Sequence, residues 1–186
     1  MNALTTWILA VVIQLTASTN SQRLRVETQD QMTARYTSIA EDLSEVLISS
    51  APLFTQDDNR VKTAALMLSI ANWESGFTRE VDGGRSRGDK GASWCLMQIN
   101  LPGRSTLWYG TAEMRKWDGV ALSSDRKKCF IAGLEQLRIS ITRCPAGPNG
   151  APLNMYVTGR CDRPSLEAKH RWDMAKWLER RTFPVK

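Results

Sequence analysis

The sequence predicts a mainly α-helical domain, and three observations carry that expectation. Ala64, Ala65, Leu66, Met67, Leu68, Ile70 and Ala71 form a run that is apolar on almost every face, as in a helix buried on all sides. Apolar residues recur at three- and four-residue spacing between Tyr36 and Leu47, between Phe130 and Ile141, and between Ala168 and Leu178, each giving one stripe of an amphipathic helix. No convincing alternating strand, internal repeat or low-complexity tract interrupts this pattern, although residues 78–95 leave room for a short hairpin. With 186 residues and 42% hydrophobic composition, the chain can bury one sizeable core, so a single domain is expected.

Taken in order, residues 1–19 hold an uncharged apolar run from Leu4 to Leu15, followed by the small residues Ala17, Ser18 and Thr19. The run resembles a secretory signal or anchor and is shorter than the roughly 20 residues of a membrane span, which leaves membrane contact through this segment open. No Lys or Arg precedes it, and the alternative is a helix packed on the domain. Residues 20–30 read as a polar linker, and the domain proper is expected over residues 31–186.

The first stripe (Tyr36, Ile39, Ala40, Leu43, Val46, Leu47) is core, and Ser49-Ser50-Ala51-Pro52 breaks its helix. Asp57, Asp58 or Asn59 can then cap the buried helix by accepting its free amide hydrogens, and Gly76 supplies the stop. Trp108-Tyr109-Gly110 offers aromatic faces that suit a sugar and equally suit half-burial in a small domain. A short helix capped by Thr111 is expected to Trp117, and a longer one from Ser124 to near Cys144-Pro145. After a Pro- and Gly-rich loop, Pro164 in a first turn introduces the last helix. Its apolar face is Ala168, Trp172, Ala175 and Leu178, with Lys169, Arg171, Lys176 and Arg180 elsewhere.

Glu74 stands out chemically. It falls in the last turn of the buried helix, where unpaired carbonyls carry partial negative charge, and Trp73 and Phe77 are placed to wall it from water. Both effects disfavour the anion and raise the carboxyl pKa, which lets a glutamic acid stay protonated and serve as general acid. The same pattern also fits an ordinary surface glutamate closing a core helix.

Downstream, the polar loop Asp82-Gly83-Gly84-Arg85-Ser86-Arg87-Gly88-Asp89-Lys90-Gly91 leads into Ser93-Trp94-Cys95-Leu96-Met97-Gln98-Ile99-Asn100. The order of helix, Glu74-Ser75-Gly76-Phe77, polar loop and Leu96-Met97-Gln98 resembles the lysozyme-like superfamily, in particular the soluble lytic transglycosylase domain, over roughly Val61 to Asn100. The resemblance implies a lysozyme-like helical domain, with the hairpin beside a sugar cleft. It implies Glu74 as the catalytic acid and places Ser75, Met97, Gln98 and Tyr156 at the site; with the neighbouring Trp94 and Asp89 these are the expected substrate-binding residues. Tyr156 matches a family tyrosine and is the expected hydrogen-bond partner of Glu74, although Val157 stands where the family has asparagine. Cys95 also departs from the pattern, standing where glycine is usual, so a disulfide could replace what glycine's backbone freedom supplies. The implied activity is cleavage of the β-1,4 bond between N-acetylmuramic acid and N-acetylglucosamine in peptidoglycan strands. The alternatives are a hydrolytic lysozyme, with Asp89 or Asp82 as second carboxylate, and a non-catalytic wall-binding or structural module.

The remaining composition narrows the classes. Four cysteines behind a signal-like run suggest two disulfides and an exported, periplasmic or extracellular setting. Cys144 ends one helix and Cys161 precedes the next, which favours Cys144–Cys161 and leaves Cys95 with Cys129. The cysteines stand singly rather than in Cys-x-x-Cys pairs, so no metal is expected, and no cofactor. The single histidine, His170, lies between Lys169 and Arg171 on what reads as a solvated helix face, which leaves few schemes for Cys-His or Ser-His-Asp catalysis. A net charge of +6 suits an anionic wall polymer. Its basic residues form no dense stripe or nucleic-acid motif, so specific nucleic-acid binding is not expected; the chain is expected to act as a monomer.

Overall fold

The structure, a computed structural model, describes residues 1–17, 26–101, 105–144 and 151–181. It is mainly helical with one small antiparallel sheet. At its centre is α3 (Val61–Ser75), with every residue from Thr63 to Ala71 buried; α1 is Ala3–Thr16 and α2 is Gln29–Ser49. The α3 N-terminus is closed by the acidic residues expected to cap it. The buried Asp57 carboxylate accepts from the Lys62 amide (3.0 Å), the Thr63 amide (2.9 Å) and the Thr63 hydroxyl, and Asn59 Oδ1 accepts from the Val61 amide at 3.2 Å. These bonds satisfy donors that have no partner inside the helix. At the other end Gly76 takes a left-handed conformation (φ 55°), and its amide donates to the Asn72 carbonyl.

The apolar N-terminal segment takes the packed-helix form. Ile8, Val11 and Val12 of α1 are fully buried in the core, where α1 meets α2 and α3. Among the described residues no helix is long and apolar enough to cross a membrane. The expected linker is partly structural. Residues 18–25 lie outside the described residues, but Glu27 is buried against Arg35 (2.5 Å), and Thr28 with Gln31 forms a capping box that starts α2 two residues before the expected domain boundary.

After α3 come the one-turn helix α4 (Arg79–Asp82) and the strands β1 (Ser93–Trp94) and β2 (Ile99–Asn100), paired in the register Ser93 to Asn100 and Trp94 to Ile99. The hairpin therefore runs on past residue 95, with Cys95 to Gln98 as its turn. Met114–Lys116 is a short 3-10 turn, to which Thr111 contributes an acceptor for the Met114 amide at 3.2 Å. The long helix starts later than expected. Gly119–Ser124 forms α5, and Asp125, whose carboxylate accepts from the Lys127 and Lys128 amides, caps α6 (Arg126–Arg143). The loops at 102–104 and 145–150 lie outside the described residues. After α7 (Asn154–Thr158), α8 (Leu166–Glu179) is capped by Ser165, so Pro164 precedes the helix instead of sitting in its first turn.

Both expected disulfides are present, Cys95–Cys129 and Cys144–Cys161, and together they fit an oxidising environment.

Candidate active site

A cleft of about 600 Å³ is lined by Glu74 at the end of α3, by Asp89, Gln98 and Asn100 around the hairpin, by Trp108, by Gln136 of α6, by Tyr156 of α7, and by Glu167 and Arg171 of α8. Two walls of different construction meet here. One is the packed pair α3–α8; the other is the hairpin and the loop leading to it.

Helix α8 lies along α3 and is pinned by the Ser69 hydroxyl, which donates to the Arg171 carbonyl at 2.7 Å. This contact brings the Arg171 guanidinium to Glu74, where Nη2 donates to Oε1 at 2.8 Å. Arg171 was expected on the polar side of its helix and is instead 8% exposed, because α8 is covered on more than its apolar stripe. Burial raises the proton affinity of Glu74 above that of an ordinary carboxyl; the Arg171 charge and hydrogen bond oppose this, and the negative charges of Asp89 and Glu167 add to it. The balance favours a carboxyl that holds its proton at higher pH than usual. The wall of aromatics takes a different form from that expected. Trp73 is exposed and stacks on His170 at 5.8 Å, while Phe77 is fully buried in the core.

The other expected site residues divide. Asp89 and Gln98 line the cleft with Glu74 and Tyr156. The Gln98 amide is already engaged, with Oε1 accepting from the Gly88 amide (2.9 Å) and Nε2 donating to the Cys95 carbonyl (3.0 Å), so it ties the loop to the hairpin turn. Asp89 Oδ2 accepts from the Ser93 hydroxyl (2.5 Å) and from Asn100 Nδ2 (3.4 Å), and Asp89 is an exposed residue on the cleft wall. The Tyr156 hydroxyl donates to the Met97 carbonyl at 2.8 Å instead of to Glu74, and burial makes its proton hard to remove.

Ser75, Met97 and Trp94 are not in the cleft lining. The Ser75 hydroxyl donates back to the Ala71 carbonyl (2.7 Å) and accepts from the Phe77 amide (3.3 Å), which finishes the helix. The Met97 side chain is fully buried and packs so closely on Gly133 that a Cβ there would lie 2.8 Å from it. The Trp94 ring carries the Arg87 guanidinium at 3.6 Å and lies against Gly119, where a Cβ would meet it at 2.0 Å. Asp82 is also outside the cleft lining, where Arg126 Nε and Nη2 hold its carboxylate at 2.8 and 3.0 Å.

The hairpin wall depends on a covalent tie. Cys95 and Gln98, which bound the turn, both have left-handed backbones (φ 60° and 48°), a conformation that a side chain disfavours. The bridge to Cys129 in the first turn of α6 fixes the turn in place of glycine's freedom, and the Met97 amide donates to Cys129 Sγ at 3.4 Å.

Sequence reasoning missed Arg171, Gln136 and Glu167. The one available signal was that Arg171 lies between the apolar positions Ala168 and Ala175, a position that also suits a solvated face. Among the described residues no group of three or more His, Cys, Asp or Glu side chains is arranged to hold a metal ion. Comparisons with family models, with curated proteins and with solved structures find no match to this chain.

Proposed function

We propose that the chain is a peptidoglycan-cleaving glycosidase, a lytic transglycosylase in which Glu74 serves first as acid and then as base. The observation that carries this reading is the Glu74 carboxyl, desolvated by burial and raised in proton affinity, at the end of a buried helix and on the wall of a polar cleft. In the reaction Glu74 donates its proton to the glycosidic oxygen as the bond to the muramic anomeric carbon breaks through an oxocarbenium-like transition state. The resulting carboxylate then takes the proton of the same sugar's 6-hydroxyl, whose oxygen bonds to the anomeric carbon and closes a 1,6-anhydro ring. A nucleophile already tethered to the substrate needs no activated water and no second carboxylate. The exposed Trp108 at the cleft offers a face for a sugar ring, and the net positive charge favours an anionic wall. An exported setting accords with the two disulfides.

The place of Asp89 on the same cleft favours a second reading, a hydrolytic lysozyme in which Asp89 assists water. One experiment separates the two: oxidised full-length protein and its Glu74→Gln variant are incubated with purified peptidoglycan, and the released muropeptides are weighed by mass spectrometry. Products lighter by one water than their hydrolytic counterparts, lost by about 100-fold or more in Glu74→Gln, are expected. Hydrated reducing ends that disappear in Asp89→Asn identify the lysozyme. A wild-type protein that binds wall but never cuts it overturns both in favour of a binding module.

A further inference from the structure

A general acid that must also act as a base faces a conflict. Burial strengthens its hold on the proton, yet the carboxylate must persist long enough to accept a proton from the second nucleophile. Burial alone would leave Glu74 a weak acid that gives up its proton reluctantly. The cleft contains a group suited to opposing this.

Arg171 is buried, and Glu74 is the carboxylate that binds it among the described residues. Its Nε and Nη1 are buried without hydrogen-bond partners among those residues, so the ion pair rests on the single contact from Nη2. Position is fixed from the main chain as well, through the Ser69 hydroxyl on the Arg171 carbonyl, and the guanidinium carbon lies 5.9 Å from the centre of the Trp73 ring. The α8 backbone is thus fixed at Arg171, and its guanidinium lines the cleft with Glu74 as its carboxylate partner and two nitrogens without a protein acceptor among the described residues, an arrangement that full pairing in a structural ion pair would not leave.

We propose that Arg171 is a positioning residue for the reaction: its guanidinium fixes the Glu74 carboxyl at the cleft and holds it able to exist as an anion after the proton has been given away. The assignment deepens the glycosidase reading and rests on it for its role in turnover. The other groups facing Glu74 cannot do this. Asp89 from the loop and Glu167 from one turn earlier on α8 both repel a carboxylate, and Tyr156 from α7 is a neutral hydroxyl committed to the Met97 carbonyl. His170 stacks on the exposed face of Trp73.

The partners are also unequal in a way that makes the assignment testable. If Arg171 is removed, Glu74 can take up a proton and become neutral; if Glu74 is removed, the guanidinium cannot shed its charge. Arg171→Met is therefore expected to fold, with a Glu74 that binds its proton more tightly.

The test uses oxidised full-length wild type, Arg171→Met and Arg171→Lys. The Glu74 carboxyl is titrated by NMR in 13C-glutamate-labelled protein and assigned by its absence in Glu74→Gln; kcat/KM on peptidoglycan is followed against pH in parallel. In Arg171→Met the Glu74 titration is expected to move up by about one pH unit or more. The alkaline limb of the activity profile should move with it, kcat should fall, and Arg171→Lys should reverse most of the shift. If Arg171→Met does not fold, Arg171→Gln, which keeps a donor without the charge, takes its place. An unchanged Glu74 titration in the folded charge-removing variant overturns the proposal. Absence of wall cleavage by wild type would defeat the glycosidase reading and the role in turnover. A titration that still moved would leave Arg171 only as the charge that lowers Glu74's proton affinity.

Discussion

The two walls of the cleft hold their functional groups by opposite means. Glu74 and Arg171 stand on long helices that pack along one another, with Thr63 to Ala71 of α3 inaccessible to solvent, so position on that side follows from burial. Asp89 and Gln98 stand on a loop and hairpin containing several left-handed residues outside glycine, among them Asp89, Lys90, Cys95 and Gln98. No residue of Asp89–Gly91 is buried and the local backbone is disfavoured, so a disulfide and the doubly bonded Gln98 amide tie that loop to the buried Leu96, Met97 and Ile99 of the hairpin. The difference teaches that the candidate acid should survive perturbation of the loop, whereas the loop should depend on a few separable ties.

The largest effect on stability is expected on the helical side. Glu74→Ala leaves the Arg171 charge buried and unpaired and should destabilise by about 3 to 5 kcal/mol, against a smaller loss for Glu74→Gln, which keeps an acceptor for Nη2. Urea denaturation of both variants checks this, and equal losses would show that the ion pair contributes little. Next, the Cys95→Ala and Cys129→Ala double variant should lose about 2 to 4 kcal/mol. Its amide hydrogen exchange should rise at residues 88–100 while the interior of α3 stays protected; uniform loss of protection would break the contrast between the walls.

Gln98→Ala should cost about 1 to 3 kcal/mol, because it leaves the Gly88 amide and the Cys95 carbonyl without this partner, and it should lower turnover less than Glu74→Gln does. Thermal melts together with muropeptide release measure both quantities. The smallest effect concerns pH. Since folding raises the Glu74 pKa above its ordinary 4.5, the favourable contribution of its protonated form is complete below that value and is lost as pH rises through the higher folded value. Activity that needs the proton should decline over the same interval. A pH profile with no alkaline limb in that interval would remove Glu74 as the acid.

Much of the helical wall was legible in the sequence. The run from Ala64 to Ala71 can only be satisfied by burial, Asp57 and Asn59 precede it at capping distance, Gly76 ends it, and these local features place Glu74 in its last turn. The position of Cys144 at the end of one helix and of Cys161 before the next favoured their pairing, which left Cys95 with Cys129. Other expectations failed where side-chain direction mattered. Trp94, Ser75 and Met97 are a few residues from cleft-lining groups in the chain, but Trp94 lies between Arg87 and Gly119, Ser75 bonds its own helix, and Met97 points to α6. Sequence proximity fixes distance along the backbone, whereas a turn of left-handed residues decides which way each side chain faces.

By itself the sequence determined the helical class, the ends of the central helix and the carboxyl at its terminus, because periodicity, capping and conformational preference act over a few residues; among three cysteine pairings it only favoured the one the structure holds. Only the tertiary structure decided that the apolar N-terminal run packs into the core, that Asp82 is neutralised by Arg126, that Tyr156 bonds Met97, and that Arg171 meets Glu74 across 97 positions of chain. An arginine between two apolar positions reads the same whether its helix face meets water or another helix. The docking of α8 on α3 makes that choice, and with it the charge beside the candidate acid.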